Sequence, residues 1–139
     1  MRISELKKLV EAYFKHLDQS ILNKFEQAWN QLQTIKLPTT KQKTLLGNIL
    51  NTKAFSIDGD YIKNNYSMDF VEGGHDLVYD YVPNSEIWVD ANINHNDFKF
   101  VLYHEFVERT LMDLKQLQYE DAHNIANYLE HEKRKSTKF

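Results

Sequence analysis

The sequence predicts an α+β domain with N-terminal amphipathic helices, a small antiparallel sheet of about three strands, and two C-terminal helices. Three observations predict it. Apolar residues recur at steps of three and four through the first third of the chain, the pattern alternates between residues 66 and 90, and helical spacing returns after Asp97. With 42% hydrophobic and 13% aromatic residues in 139, the chain suits one compact domain spanning residues 1–139.

The first helical stripe runs through Ile3, Leu6, Val10, Tyr13, Phe14, Leu17, Ile21, Phe25, Ala28, Trp29, Leu32 and Ile35. It is one long helix or two, since Asp18-Gln19-Ser20 offers capping residues at its midpoint. Leu37-Pro38 ends the element, because the residue before proline is driven out of the helical region. Thr39 or Thr40 then caps a shorter predicted helix through Leu45, Leu46, Ile49 and Leu50.

Alternation follows. Tyr66, Met68 and Phe70 lead into Glu72-Gly73-Gly74-His75, and Leu77, Tyr79 and Tyr81 continue beyond, which reads as a hairpin with a two-residue glycine turn. In that register Phe70 faces Leu77, Tyr66 faces Tyr81, and Glu72 faces His75 at the tip. Pro83-Asn84-Ser85 turns the chain into a third strand, Glu86-Ile87-Trp88-Val89-Asp90. Asn94, Asn96 and Asp97 are cap candidates for the next helix. A last helix runs from Tyr119 through Ile125, Ala126 and Leu129 to Lys133-Arg134-Lys135, expected as a solvated, frayed end.

Charge divides the chain. Residues 1–53, the predicted basic helical part, carry nine Lys/Arg against four Asp/Glu; residues 54–139, the sheet and later helices, carry eight against sixteen. An acidic part suits cation binding, and a basic part suits phosphate or an acidic partner, although mutual attraction within the fold explains the division as simply. The absence of cysteine excludes disulfides, iron–sulfur clusters and thiolate-bound zinc, so any metal must use nitrogen and oxygen ligands. No run of ~18 apolar residues and no signal-peptide pattern occurs, which leads to the expectation of a cytoplasmic protein without a membrane partner. Arg2 is the only arginine in the basic part, which argues against nucleic acid.

The chemistry concentrates in His104-Glu105-Phe106-Val107-Glu108. On a helix at ~3.6 residues per turn, His104 and Glu108 project from one face. A fold-back at Lys115-Gln116-Leu117-Gln118 could bring His123 to them. His104, Glu108 and His123 then form a His₂Glu set, the composition of zinc sites that keep a position open for water. A metal in such a site lowers the pKa of water toward ~7, and Glu105, left uncoordinated, is the candidate base. The competing reading is an ordinary exposed helix face on which Glu105 pairs with Arg109 at i,i+4. Against it stand Phe100, Val101, Leu102, Phe106, Val107, Leu111, Met112 and Leu114, apolar almost all round, which mark a core helix. Burying a histidine and two carboxylates there is costly unless they pair or hold a cation.

His75, Tyr103 and Tyr119 are the candidate supporting residues. His75 joins the site only if the hairpin tip overlies the helix; otherwise it is an exposed turn residue. The two tyrosines are candidates by proximity in sequence. His16, His95 and His131 sit among polar neighbours and are expected at the surface.

Over residues 75–131 the chain resembles the zincin-like metallopeptidases, particularly minimal gluzincin-type domains, in which a strand leads into a helix bearing H-E-x-x-H and a later helix supplies the third ligand. Glu108 stands where that motif has its second histidine, and His123 where gluzincins have a downstream glutamate. The resemblance implies His104 as a ligand, Glu105 as general base, and Glu108 and His123 as ligands of exchanged type. It implies zinc, with manganese or iron as alternatives because a carboxylate is a harder ligand, and a peptide or protein substrate. It also gives Ile87–Asp90 a role in binding substrate by strand addition, which requires an exposed edge. Two other functions compete. One is a non-catalytic binding or regulatory protein with a structural His/Glu cluster; the other is a di-iron carboxylate protein, for which Glu120-Asp121-Ala122-His123 lacks the required second Glu-x-x-His.

Overall fold

A computed structural model describes residues 2–13 and 17–137, except the side chains of residues 6, 7, 9, 10 and 13. Phe14 and His16 therefore lie outside the described residues. The elements in chain order are α1 (Ile3–Tyr13), α2 (Gln19–Leu32), β1 (Thr44–Ile49), β2 (Thr52–Ile57), α3 (Gly59–Asn65), β3 (Gly73–His75), β4 (Glu86–Asp90), α4 (His95–Leu114) and α5 (Tyr119–Ser136). The class is α+β, as the pattern predicts. The sheet is mixed, with order β1-β2-β4-β3; β2 and β4 run parallel and the other two pairs antiparallel.

The N-terminal stripe is two helices. Asp18 caps α2 by accepting the Ile21 N–H at 3.0 Å, and Ile21, Phe25, Ala28 and Leu32 form the buried face of that helix. The predicted helix over Leu45–Leu50 is instead the strand β1, so the basic part is not wholly helical. Leu50 and Asn51 turn the chain, Leu50 at φ 52°, and β2 returns along β1.

Helices α2, α4 and α5 cover one sheet face around Ile49, Ala54, Ile87 and Val89. The other face carries Ile57 and Trp88, closed by Ile62 of α3 together with Phe70 and Val82. Strand alternation decides this division: Ile87 and Val89 point one way, Trp88 the other. Gly59, which opens α3, has no room for a side chain, because a Cβ there would stand 2.1 Å from Asp90 Oδ2. Its N–H donates to Asp90 Oδ1 at 3.0 Å.

The predicted hairpin does not form. Gly73 and Gly74 are strand residues of β3, pairing with Val89 and Trp88 of β4, rather than a turn. The aromatic residues on either side cluster through their rings: Tyr66 stacks on Tyr81 at 5.1 Å, and Tyr79 contacts both Tyr81 and Phe70. Ring packing thus keeps the expected Tyr66–Tyr81 neighbourhood without a strand ladder. Glu72 is exposed at φ 62° and does not face His75, which is fully buried. The third predicted strand is present as β4. It is an interior strand, however, flanked by β2 and β3, so the edge needed for strand addition at Ile87–Asp90 does not exist.

Asn94 caps α4 by accepting the Asn96 N–H at 2.8 Å. Residues Phe98 and Phe100 through Leu111 of this helix are buried, as an all-round apolar pattern requires. After Leu114 the chain turns through Gln116 at φ 58°, and α5 returns antiparallel to α4, Arg134 meeting Asp97 at 2.8 Å near the start of α4. The C-terminal basic run is not frayed. It lies within α5, with Lys133 2.9 Å from Glu26 and Arg134 2.9 Å from Glu130. Among the described residues no helix is long and apolar enough to cross a membrane.

Candidate metal centre

Three elements meet at the site. α4 contributes His104, Glu105 and Glu108; the first turn of α5 contributes His123; the end of β3 contributes His75; and the later part of α5 contributes Glu130. Gly73 lets α4 lie close to β3, for a Cβ there would meet Glu105 Cγ at 3.3 Å and Val101 Cγ1 at 3.2 Å.

The three predicted ligands converge. Glu108 Oε2 lies 3.2 Å from His104 Nε2 and 2.8 Å from His123 Nδ1, and the two nitrogens are 3.3 Å apart. Four ligands bound at ~2.0–2.1 Å in a tetrahedron stand about 3.3–3.4 Å from one another. Two of the three separations have that value. The third, at hydrogen-bond length, must open by about 0.5 Å. These groups, buried at His104 and Glu108 and half-buried at His123, could hold a metal ion.

Both lone positions around this triangle are fixed by further contacts. His75 Nε2 lies 2.8 Å from Glu108 Oε1. Its Nδ1 accepts the Leu77 N–H at 3.2 Å, so in the neutral ring the proton resides on Nε2 and is donated to Glu108. His75, Glu105 and Glu108 also come close enough to form a second cation-sized cluster, but a ring that donates from Nε2 offers no ligand atom there. His104 Nδ1 lies 3.1 Å from Glu130 Oε1, close enough to pair though not aligned for a hydrogen bond. Glu130 is in turn held by Arg134, and Arg134 by Asp97. A carboxylate behind the non-ligating nitrogen of a histidine fixes its tautomer and raises its basicity.

Electrostatics follow from this crowding. Burial works against charge on Glu108, yet the His104, His123 and His75 contacts hold its carboxyl far below the usual carboxylate range. Burial likewise opposes an imidazolium at His104, but Glu108 and Glu130 at its two nitrogens push it up to about 10. Glu105 has no such partner. It is 8% exposed, its nearest cation is His104 Nε2 at 4.0 Å, and burial followed by the Glu108 charge pushes its carboxyl up to about 8. It lines a cavity of about 300 Å³ together with Glu108, His123 and Tyr119.

The expected Glu105–Arg109 pair is replaced by a different one. Arg109 Nε and Nη2 reach Asp76 at 2.6 and 3.2 Å, both side chains buried, which leaves Glu105 free to face the cavity. Of the supporting candidates, Tyr119 joins the site, its ring stacked on His123 at 5.3 Å. His75 joins it more closely than a turn residue could. Tyr103 does not, because one residue along a helix is about 100° around it; it packs edge-on against Trp29 in the core. His95 is exposed and His131 half-buried, both apart from the cluster. Glu130 is the functional neighbour that spacing could have revealed, since it lies seven residues, two turns, after His123 on the same helix face.

Comparison with known proteins returns no matching family model, curated protein or solved structure.

Proposed function

We propose that the protein is a metal-dependent hydrolase of zincin-like type that acts on peptide bonds. The observation that carries this reading is the triangle of His104 Nε2, Glu108 Oε2 and His123 Nδ1 at near-tetrahedral spacing, with the Glu105 carboxyl beside it in a cavity, free of hydrogen bonds and 4.0 Å from His104 Nε2. Zinc suits a His₂Glu set, and manganese or iron suits the harder carboxylate. A divalent cation held there supplies Lewis acidity, acidifying water and polarising a carbonyl.

The chain's own residues do the rest. His104 is held by Glu130 with Nε2 toward the triangle, and Glu108 is held by His75 with Oε2 toward it. Glu105, held by no hydrogen bond, accepts the proton from attacking water and returns it to the leaving amine. Tyr119 lines the same cavity, and its hydroxyl, raised by burial and by the nearby Glu108 and Glu105 carboxylates, stays a donor for the carbonyl oxygen.

Elemental mass spectrometry on protein purified without an affinity metal or chelator tests the reading. About one zinc, manganese or iron per chain, lost in a His104→Ala/His123→Ala double variant, supports it. Wild-type protein that is metal-free and takes up none of these ions overturns it, leaving a buried hydrogen-bond network in a binding protein.

A further inference from the structure

We infer that the cleft beside Glu105 selects a polypeptide segment carrying lysine or arginine next to an apolar residue. This rests on the reading of the site as hydrolytic for the fate of the segment, but not for its binding.

The cavity at Glu105 has a neighbour. A second space of about 730 Å³ shares the lining residues Asp69, Val78, Tyr79 and Tyr119 with it, so the two adjoin. Both volumes lie in or near the range of ordinary ligand sites.

The charge of this cleft has one sign. No lysine or arginine occurs between Lys63 and Lys99, and none lines either space. Other carboxylates of that stretch are committed elsewhere: Asp76 to Arg109, Asp90 to the Gly59 and Asn92 N–H groups, and Glu86 to Lys43 and Trp88. Asp97 pairs with Arg134, and Glu72 is exposed but lines neither space; Asp69 and Asp80 remain, both exposed, both on the cleft wall, and neither in an ion pair among the described residues. At the inner end, Glu105 is buried and has no hydrogen-bond partner among them, its one ionic contact being His104 Nε2 at 4.0 Å. A groove with the exposed carboxylates of Asp69 and Asp80 on its wall and no lysine or arginine in its lining attracts cations and rejects anions.

The apolar component is equally local. Val71 and Val78, 64% and 38% exposed, line the same cleft. Exposed apolar side chains beside one another suit a contact surface. The rings of Tyr79, Tyr81 and Tyr119 line the same space and supply aromatic surface for a guanidinium or ammonium. A lysine or arginine side chain, with an apolar stem and a charged head, matches this lining, and its peptide neighbours meet the aliphatic rim.

Fluorescence anisotropy of the full chain as purified tests the inference. The probes are a dye-labelled six-residue peptide with two lysines among leucine and phenylalanine, and the same peptide with glutamate for lysine. The lysine peptide should bind at least ~10-fold more tightly, about 1.4 kcal/mol. That preference should collapse in Asp69→Asn/Asp80→Asn, whose exposed positions spare the fold, and also in Val78→Lys, which adds a competing cation. Equal binding of the two peptides, or a preference that survives both variants, overturns the inference. Spermine that binds as tightly as the lysine peptide overturns its polypeptide part. Metal content measured on the same samples separates the two readings: charge selectivity in a metal-free protein keeps this inference and sinks the metal site, whereas a loaded protein without selectivity does the reverse.

Discussion

His75 and Glu108 are joined by a buried contact of 2.8 Å between Nε2 and Oε1, and the Leu77 N–H on Nδ1 determines which of them donates. The consequence is that one carboxylate oxygen of Glu108 is committed, leaving only Oε2 for the triangle. Removing the donor frees Oε1 to swing toward a metal and to bind through both oxygens. His75→Leu should therefore weaken zinc binding 10–100-fold, the usual cost of losing such a support. Gln, whose amide N–H can stand near the position of Nε2–H, should restore most of it. Cobalt substitution reports the coordination directly: the visible absorption of the His75→Leu protein should lose intensity as the ion becomes five-coordinate, while His75→Gln keeps the wild-type spectrum. Identical spectra in all three proteins would mean that His75 does not set how Glu108 binds.

Glu105 makes stability depend on pH in an unusual direction. Its carboxyl is raised from an ordinary 4.5 to about 8, with burial as the main cause. The folded protein therefore holds this proton more tightly than the unfolded chain. The stability it contributes is greatest below the ordinary value and is lost as pH rises from 4.5 through 8. In chelator-treated protein, Tm measured by calorimetry should fall more steeply between pH 5.5 and 9 for wild type than for Glu105→Gln, which cannot ionise. Parallel curves would show that the Glu105 carboxyl is solvated.

Asp76 behaves in the opposite sense. Burial would raise its carboxyl, but Arg109 and the Ser85 N–H hold it below the ordinary 3.8. Its pairing stability is thus present above 3.8 and lost as pH falls through the lowered value. Replacing Arg109 with Met strands a buried carboxylate and should cost about 3 kcal/mol at pH 7, with the penalty shrinking in acid. Urea denaturation of both proteins at pH 7 and pH 3 measures this, and a pH-independent difference would assign the loss to packing.

Legibility in the sequence followed the size and periodicity of what each element buries. α4 was legible because Phe98 through Leu111 are apolar on every side and Asn94 precedes them. β1 and β2 were not. Leu45, Leu46, Ile49 and Leu50 satisfy helical spacing, and on the face it shares with Ala54, β2 buries only Thr52, Ala54 and Ser56, which carry almost no hydrophobic signal. The glycines at 73 and 74 read as a hairpin turn because local rules cannot register that β4 offers a partner and that α4 needs a close approach. In the site, His104, Glu108 and His123 were legible because two lie one turn apart and the third follows a short fold-back. For His75 the sequence offers only a conditional place, because the same hairpin pattern puts it at a tip that joins the site only by overlying the helix. Tyr103 failed because adjacency in sequence is not adjacency on a helix.

Gly59 gives a prediction that separates fold from site. It begins α3 on the sheet face away from the triangle, and its N–H is one of the donors that satisfy the buried carboxylate of Asp90. A methyl group there would overlap Asp90 Oδ2, so either the helix start or the carboxylate must move. Displacing the carboxylate also withdraws the acceptor from the Asn92 N–H and side-chain amide, loosening the turn between β4 and α4. Gly59→Ala should cost about 3 kcal/mol, the upper part of the range for overpacking, measured as a lower urea midpoint at unchanged slope. Metal stoichiometry should be preserved, because His104, Glu108 and His123 are positioned by α4 and α5 against each other and by β3. If Gly59→Ala retained full stability, the Asp90 turn would be shown to yield freely; if it lost its metal while still folded, the triangle would depend on the β4–α4 turn as well as on the two helices.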